Sequence, residues 1–303
     1  MNSKNKKELE GFLRFAKKYP VAAIIIVVII AAVIIIQSVK DGGADSPETS
    51  PVSDGGVTVH YIDVGQGDAE LVECGGEYLL IDGGDVDAGK GLREYLKDAG
   101  VTHIDYMVCT HGHADHCGGL DEVLKSCEVD EIFTSPYPGN KKAYEIFLEA
   151  AEEYNVPVDV SDMGVTYNLG DAKFKFIGPV EEHDDLNANS LVLRLEYGKT
   201  SFLFTGDMTS KAEKELINDG QNVKCDVLKV GHHGSSGSSC YQFLYEAEPK
   251  TAVICCGKDN SYGHPHEEAL SRLSDCGAEI LRTDTMGSIV LHSDGTEVRN
   301  ASQ

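Results

Sequence analysis

Hydrophobic and polar positions follow three different patterns along this chain, and each predicts a different kind of element. Near the start, sixteen apolar residues run unbroken from Val21 to Ile36, or nineteen if the run is taken to Val39. A stretch of that length with no polar face sits at the short edge of what spans a bilayer core of roughly 30 Å. Lys4, Lys6, Lys7, Arg14, Lys17 and Lys18 precede it. The positive-inside rule therefore places residues 1–20 in the cytoplasm, a transmembrane signal anchor at 21–39, and the rest of the chain outside a bacterial cytoplasmic membrane. No small-x-small cleavage site follows the run, so an uncleaved anchor is expected. Residues 40–56, KDGGADSPETSPVSDGG, have no periodicity and read as a flexible linker.

From Val57 the pattern changes to short apolar or alternating runs split by Gly-rich turns: VTVHYIDV, AELVEC and YLLIDGG. These predict strands joined as hairpins. Helical periodicity then alternates with strand-like runs: helix 89–99, strand 104–109, a helix from Gly118 through Ser126, strand 129–134 and helix 141–154. The second half continues with strands near 165–168, 172–177, 190–197 and 200–205, helix 209–219, strand 225–230, helix 240–247, strand 251–256 and helix 266–275. Strands near 279–282 and 287–298 complete it. The expectation is one α/β domain over 57–298, with two sheets packed together, helices on the outside and a short tail at 299–303.

Composition and charge refine this picture. A chain of 303 residues with 41% hydrophobic positions has ample material for a large core. Seven of the 26 Lys and Arg but only two of the 50 Asp and Glu lie in the first 40 residues, so the remainder is strongly acidic. Such a body disfavours tight, extended binding along a polyanion. The nine Cys include no C-x-x-C pair, and several fall in strand-like runs, where Cys is usually a small buried hydrophobe; mostly free thiols are expected.

The candidate chemistry begins directly after the strand-like run Ile104–Cys109. His111, His113, Asp115 and His116 stand within six residues. Positions i and i+2 leaving a strand project to one side, so His111 and His113 can present two imidazoles to one cation, with Asp115 and His116 turning to a neighbouring point. The spacing suits two metals better than one. Three other strands end in polar groups: the run 202–206 in Asp207, the run 227–231 in His232 and His233, and Cys255-Cys256-Gly257 in a segment with Asn260, Tyr262, His264 and His266. Together they predict one site at a shared sheet edge.

The motif His111-Gly112-His113-Ala114-Asp115-His116 resembles the H-x-H-x-D-H hallmark of the metallo-β-lactamase superfamily. The blocks IDVGQGDA (62–69), LLIDGG (79–84), THGHADHCGG (110–119), NSLVLRL (189–195), FLFTGD (202–207), LKVGHHGSS (228–236) and YGHPH (262–266) resemble, more narrowly, the hydrolase domain of ComEC-type DNA-uptake proteins. The resemblance implies an αβ/βα four-layer sandwich and two divalent cations, Zn²⁺ or Mn²⁺. It implies His111 and His113 on one cation, Asp115 and His116 on the other, and Asp207 bridging both. One of His232 and His233 completes the second site, and His232, the first after the strand, is favoured. Asp82 is expected to orient ligand imidazoles. Many superfamily members carry a further ligating His where this chain has Asn189-Ser190, so Asn189 is expected beside the site without being a strong ligand.

The function this implies is metal-assisted hydrolysis of a phosphodiester. Asp115 or Asp207 receives a proton, and His264 or whichever of His232 and His233 is free of metal protonates the leaving alkoxide or holds a phosphoryl oxygen. Ser235 and Ser236 offer hydroxyls to the phosphate, or serve only to reverse the chain. Extracellular DNA is the substrate the resemblance implies. The acidic body and lone anchor leave a choline or teichoic-acid type envelope phosphodiester as the alternative, and an inactive metal-binding docking module of a DNA-uptake or cell-envelope complex as the non-enzyme reading.

Overall fold

The computed structural model describes residues 55–302; the basic segment, anchor and nearly all of the linker read above lie outside the described residues. None of the described helices is long and apolar enough to cross a membrane.

Alternation within the strands builds the layers. In the strand Thr200–Phe204, Phe202 and Phe204 enter one apolar cluster and Leu203 enters another on the opposite face. In the strand His103–Cys109, Val108 faces the first cluster while Ile104, Met107 and Cys109 face a third. The shared cluster lies between two sheets, and each of the other two lies between a sheet and its helices. The result is the helix–sheet–sheet–helix sandwich expected from the sequence.

The first sheet contains β1 (Val57–Tyr61), β2 (Glu70–Cys74), β3 (Glu77–Ile81), β4 (His103–Cys109), β5 (Glu128–Thr134) and β6 (Val158–Val160). The chain then builds the second sheet from β7 (Thr166–Leu169), β8 (Ala172–Gly178), β9 (Val192–Tyr197), β10 (Thr200–Phe204), β11 (Val227–Lys229), β12 (Thr251–Ile254) and β13 (Glu279–Arg282). It returns to the first sheet with β14 (Ile289–Ser293) and β15 (Val298–Asn300). The orders are β15-β14-β1-β2-β3-β4-β5-β6 and β13-β12-β11-β10-β9-β8-β7. Strands β3 to β6 are parallel, as are β10 to β13. Parallel neighbours open their carboxyl ends on a common edge, and that edge is where an open α/β sheet gathers its polar loops.

Two local differences from the sequence reading have plain causes. The stretch 287–298 is not one strand: Asp294 Oδ1 accepts from Thr296 N (2.8 Å) and Glu297 N (3.0 Å), turning the chain back so that β15 pairs with β14. This carries the sheet to Asn300, past the expected boundary at 298. The edge strand β6, Val158-Asp159-Val160, does alternate, but three exposed residues are too short a run to stand out as a strand in the sequence.

The helices on the second sheet are tied together by a buried acid. Glu213, on the helix Ser210–Asn218, accepts from the backbone N–H groups of Ser239 and Cys240 (2.8 Å for the latter), at the start of the helix Tyr241–Ala247. Burial pushes its pKa up to about 7, against the partial opposition of those two N–H groups. A raised folded-state pKa contributes stability that is full below the unfolded value of 4.5 and is lost as pH rises toward 7. The span corresponds to an effect on the order of 3 kcal/mol. The urea midpoint should therefore fall between pH 5 and 7.5, and more steeply in the wild type than in a Glu213→Gln variant. Equal slopes in the two proteins would show that Glu213 does not titrate in that window.

Candidate metal centre

Four strand ends deliver the site. After β3, Asp82 adopts a left-handed backbone (φ 57°) and accepts from Thr110 N (2.8 Å) and Thr110 Oγ1 (2.6 Å), locking the end of β3 to the end of β4. After β4 come His111 and His113, and then a single helical turn, Ala114–Cys117, carrying Asp115 and His116. Gly67 lets the 65–68 turn close onto this segment, since a Cβ there would stand 2.4 Å from the Asp115 carbonyl oxygen. Asp207 follows β10, and His232 and His233 follow β11.

Asp207 is the centre of the constellation. Its Oδ1 lies 3.2 Å from His116 Nε2 and 3.3 Å from His233 Nε2. Its Oδ2 lies 3.9 Å from His111 Nε2 and 3.7 Å from His232 Nε2. One buried carboxylate thus faces two imidazole sets with its two oxygens. In the first set, Asp115 Oδ2 is 3.3 Å from His233 Nε2, and the donor atoms of Asp115, His116, Asp207 and His233 all lie within 4.8 Å of one another. In the second, His111 Nε2 and His113 Nδ1 approach to 3.1 Å, as the i, i+2 spacing predicts.

His116 Nε2, His233 Nε2 and Asp207 Oδ1 are buried with no hydrogen-bond partner. Buried polar atoms are almost always paired, so three convergent orphans of nitrogen and oxygen fit a divalent cation. The back faces of the two rings are held: His116 Nδ1 donates to Asp82 Oδ2 (2.7 Å), and His233 Nδ1 donates to the Cys255 carbonyl (2.9 Å). Both bonds leave Nε2 facing the orphan cluster.

The charges are consistent with this. Burial would lower the His116 pKa, but the Asp207 and Asp82 carboxylates hold it well above the usual histidine range. His233 is likewise pushed up to about 10 by Asp207 and Asp68 against its burial. Burial alone would raise Asp207; the His233 and His116 rings hold it well below the usual carboxylate range. His111, buried and beside His116, is held well below its ordinary value.

Two expectations are corrected. The buried four-donor set contains His233 rather than the favoured His232. Both residues adopt left-handed backbone (φ 52° and 54°), which turns His233 inward to full burial and leaves the His232 side chain 27% exposed beside the other oxygen of Asp207. Counting outward from a strand assumes extended backbone, and here the backbone is not extended. Asn189 makes no hydrogen bond to a donor residue with its side chain: the amide bonds both backbone groups of His183 (2.9 and 2.8 Å). The neighbouring Ser190 is the supporting residue, its Oγ accepting from Asp207 N (3.0 Å) and lying 3.3 Å from His111 Nδ1. The Ser235 hydroxyl accepts from Gly237 N (3.2 Å), the chain-reversal role.

A cavity of about 740 Å³ opens over the donors, and its wall includes Gln66, Lys141, Lys142, Asn187, Tyr262 and His264. Asn187 Nδ2 donates to His232 Nε2 (3.3 Å). The Tyr262 ring is 64% exposed and stacks on His264 (centroids 5.6 Å apart, planes 19°). Burial, with His233 and His232 nearby, pushes the His264 pKa down to about 4. All nine cysteines are free, seven of them buried.

A four-layer sandwich with His and Asp donors gathered on the carboxyl edge of its parallel strands defines a metallohydrolase fold. The chain belongs to the metallo-beta-lactamase superfamily, whose family model matches residues 62–258. Among curated relatives it is 34% identical over 250 residues to ComE operon protein 3 of Bacillus subtilis (strain 168), covering 76% of this chain and 32% of that protein. It is 35% identical over 246 residues to competence protein ComA of Neisseria gonorrhoeae, covering 80% of this chain and 33% of that one. The chain thus spans about a third of the length of these relatives, which bear out the narrower resemblance to ComEC-type competence proteins. Among solved structures, the metallo-beta-lactamase fold protein YhfI from Bacillus subtilis superposes with a TM-score of 0.55 at 14% identity, covering 78% of this chain and all of that one.

Proposed function

We propose that this protein is a metal-dependent phosphodiesterase acting on DNA outside the cytoplasmic membrane, tethered by its N-terminal apolar run. The observation that carries the reading is the placement of Asp207, one carboxylate facing two imidazole sets. Asp115, His116 and His233 would hold one divalent cation together with Asp207, and His111, His113 and His232 would hold a second on the other side of that carboxylate. When bound there, Zn²⁺ or Mn²⁺ would supply a nucleophile from water at neutral pH and would neutralise charge developing on a phosphoryl group. Asp115, held below the usual carboxylate range chiefly by its contact with His233 against the effect of burial, is ionised at neutral pH, the form in which a carboxylate can hold a cation. His264 is neutral at pH 7 and hydrogen-bonds to a phosphoryl oxygen instead of protonating the leaving group.

A nucleic-acid substrate is favoured over an envelope phosphodiester by the cavity wall. Lys141 and Lys142, the latter shared with Glu145 (3.4 Å), offer ammonium groups to backbone phosphates and would repel a choline cation, and the exposed Tyr262 ring, its backbone N–H fixed to Asn260 Oδ1 (3.1 Å), offers a face on which a base can stack.

The test uses the full chain in detergent, stripped by chelator and refilled with Zn²⁺ or Mn²⁺, on labelled single- and double-stranded DNA beside bis-p-nitrophenyl phosphate. Metal-restored DNA cleavage is expected, with KM for single-stranded DNA rising about tenfold in Tyr262→Ala and recovering in Tyr262→Phe. Turnover of the small diester with DNA left intact moves the substrate to the envelope, and metal binding without any turnover leaves the docking module.

A further inference from the structure

The reaction as proposed makes no use of the most unusual side chain in the molecule. Lys229 sits on β11, 0% exposed, in a strand whose residues are otherwise Val227 and Leu228. By the two-residue period of a strand it shares a face with Val227, which packs in the cluster between the two sheets. A lysine there has left water for the apolar middle of the sandwich, and such a charge persists only when it is paired. Its partner is Asp68, 1% exposed, with Nζ and Oδ2 at 2.5 Å; Nζ also donates to the Val230 carbonyl (3.0 Å). Glu70, the other acid nearby, is held neutral: burial and the Asp68 charge keep its carboxyl well above the usual range. One cation therefore faces one anion.

Asp68 is itself held in place from both sides. Its N–H donates to the Asp115 carbonyl (3.1 Å), and its own carbonyl accepts from Gly84 N (2.8 Å), so it hangs between the loops that carry Asp115 and Asp82. Its other oxygen, Oδ1, lies 3.1 Å from His233 Nδ1, beside the Cys255 carbonyl that accepts that ring's N–H (2.9 Å). A line of contacts thus runs Lys229–Asp68–His233 and ends at the bare His233 Nε2, one of the three orphan atoms.

We infer that Lys229 and Asp68 are positioning residues for the cation bound by His233: the carboxylate, fixed by the buried ammonium, stands beside the Nδ1–H that the Cys255 carbonyl accepts, favours the ring turned that way with Nε2 presented, and by its charge strengthens that nitrogen as a ligand. The assignment rests on the proposed metal site. It differs from a merely structural ion pair joining the two halves of the chain, because a structural pair can be replaced by neutral groups of similar shape without loss, whereas a positioning pair cannot. Partners behind a ligating histidine typically contribute ten- to a hundredfold in metal affinity.

The experiment is a Zn²⁺ titration of the full chain against a chromophoric chelator, paired with thermal melts. The His233→Ala variant identifies which binding step belongs to this site. Lys229→Met alone leaves the buried Asp68 without its ammonium partner and should melt well below the wild type. The double variant Asp68→Asn/Lys229→Met removes both charges and should recover most of the melting temperature while binding this Zn²⁺ roughly ten- to a hundredfold more weakly than wild type. If that pair does not melt cooperatively, Asp68→Asn/Lys229→Gln takes its place. A double variant that recovers both stability and wild-type affinity overturns the inference and leaves a structural pair. A wild-type chain whose Zn²⁺ uptake is unchanged by His233→Ala overturns the metal reading, and this assignment with it.

Discussion

Replacing Asp207 with Ala should lower kcat/KM on bis-p-nitrophenyl phosphate by roughly a thousandfold or more, since a bridging ligand supports several kcal/mol of charge stabilisation and each 1.36 kcal/mol is a factor of ten. The geometry explains why this one residue should matter so much. Every imidazole in the two sets except His113 lies 3.2 to 3.9 Å from an Asp207 oxygen. Removing the carboxylate leaves His116 and His233 with only Asp115 to balance a cation, and it leaves His111, His113 and His232 with no carboxylate at all. Metal content should drop together with activity. Asp207→Asn, which keeps the shape and loses the charge, should be nearly as damaging. Loss of activity with wild-type metal content would limit Asp207 to proton transfer, and an Ala variant within tenfold of wild type would remove it from the centre of the mechanism.

Much of this site could be read from the sequence because it is built on strand ends, where residue spacing translates into direction. The hallmark segment 111–116 follows a buried strand, so its spacing alone brings His111 and His113 together, and the structure places them 3.1 Å apart. Asp207 and the 232–233 pair were found for the same reason, as polar residues closing apolar runs. The sandwich was legible through alternation: Phe202, Leu203 and Phe204 sort to opposite faces as period two requires. What spacing could not convey was backbone handedness. Consecutive left-handed residues at His232 and His233 exchange the two side chains relative to an extended chain, and the Asn189 amide is taken up by a hydrogen-bonding demand from His183 that is visible only in three dimensions. Lys229 was legible in principle. A lysine at a position whose period-two neighbour is core Val227 is a local conflict between pattern and polarity, and such conflicts tend to mark functional sites.

The pair His232 and His233 gives the sharpest separation of the two metal sets. His233→Ala should abolish the binding step formed by Asp115, His116 and Asp207, and should cost activity on the scale of the Asp207 variant, because its Nε2 stands 3.3 Å from both carboxylates. His232→Ala should leave that step intact: its ring reaches only Oδ2 of Asp207, at 3.7 Å, and is partly open to the cavity. The expected result for His232→Ala is weaker binding of the cation held by His111 and His113, with a smaller loss of kcat and a larger effect on KM, since the same ring lines the cavity that receives the substrate. Stability should also separate the two variants. His233 is buried and donates to the Cys255 carbonyl at the end of β12, so its loss leaves that carbonyl unpaired and opens a void, and the metal-free protein should melt lower. His232 occupies a strained left-handed position with fewer contacts, and its replacement should change the melting temperature little. If instead His232→Ala removes the step shared with Asp115 and His116 while His233→Ala spares it, the two imidazoles exchange roles, and the left-handed turn after β11 no longer explains which one the metal takes.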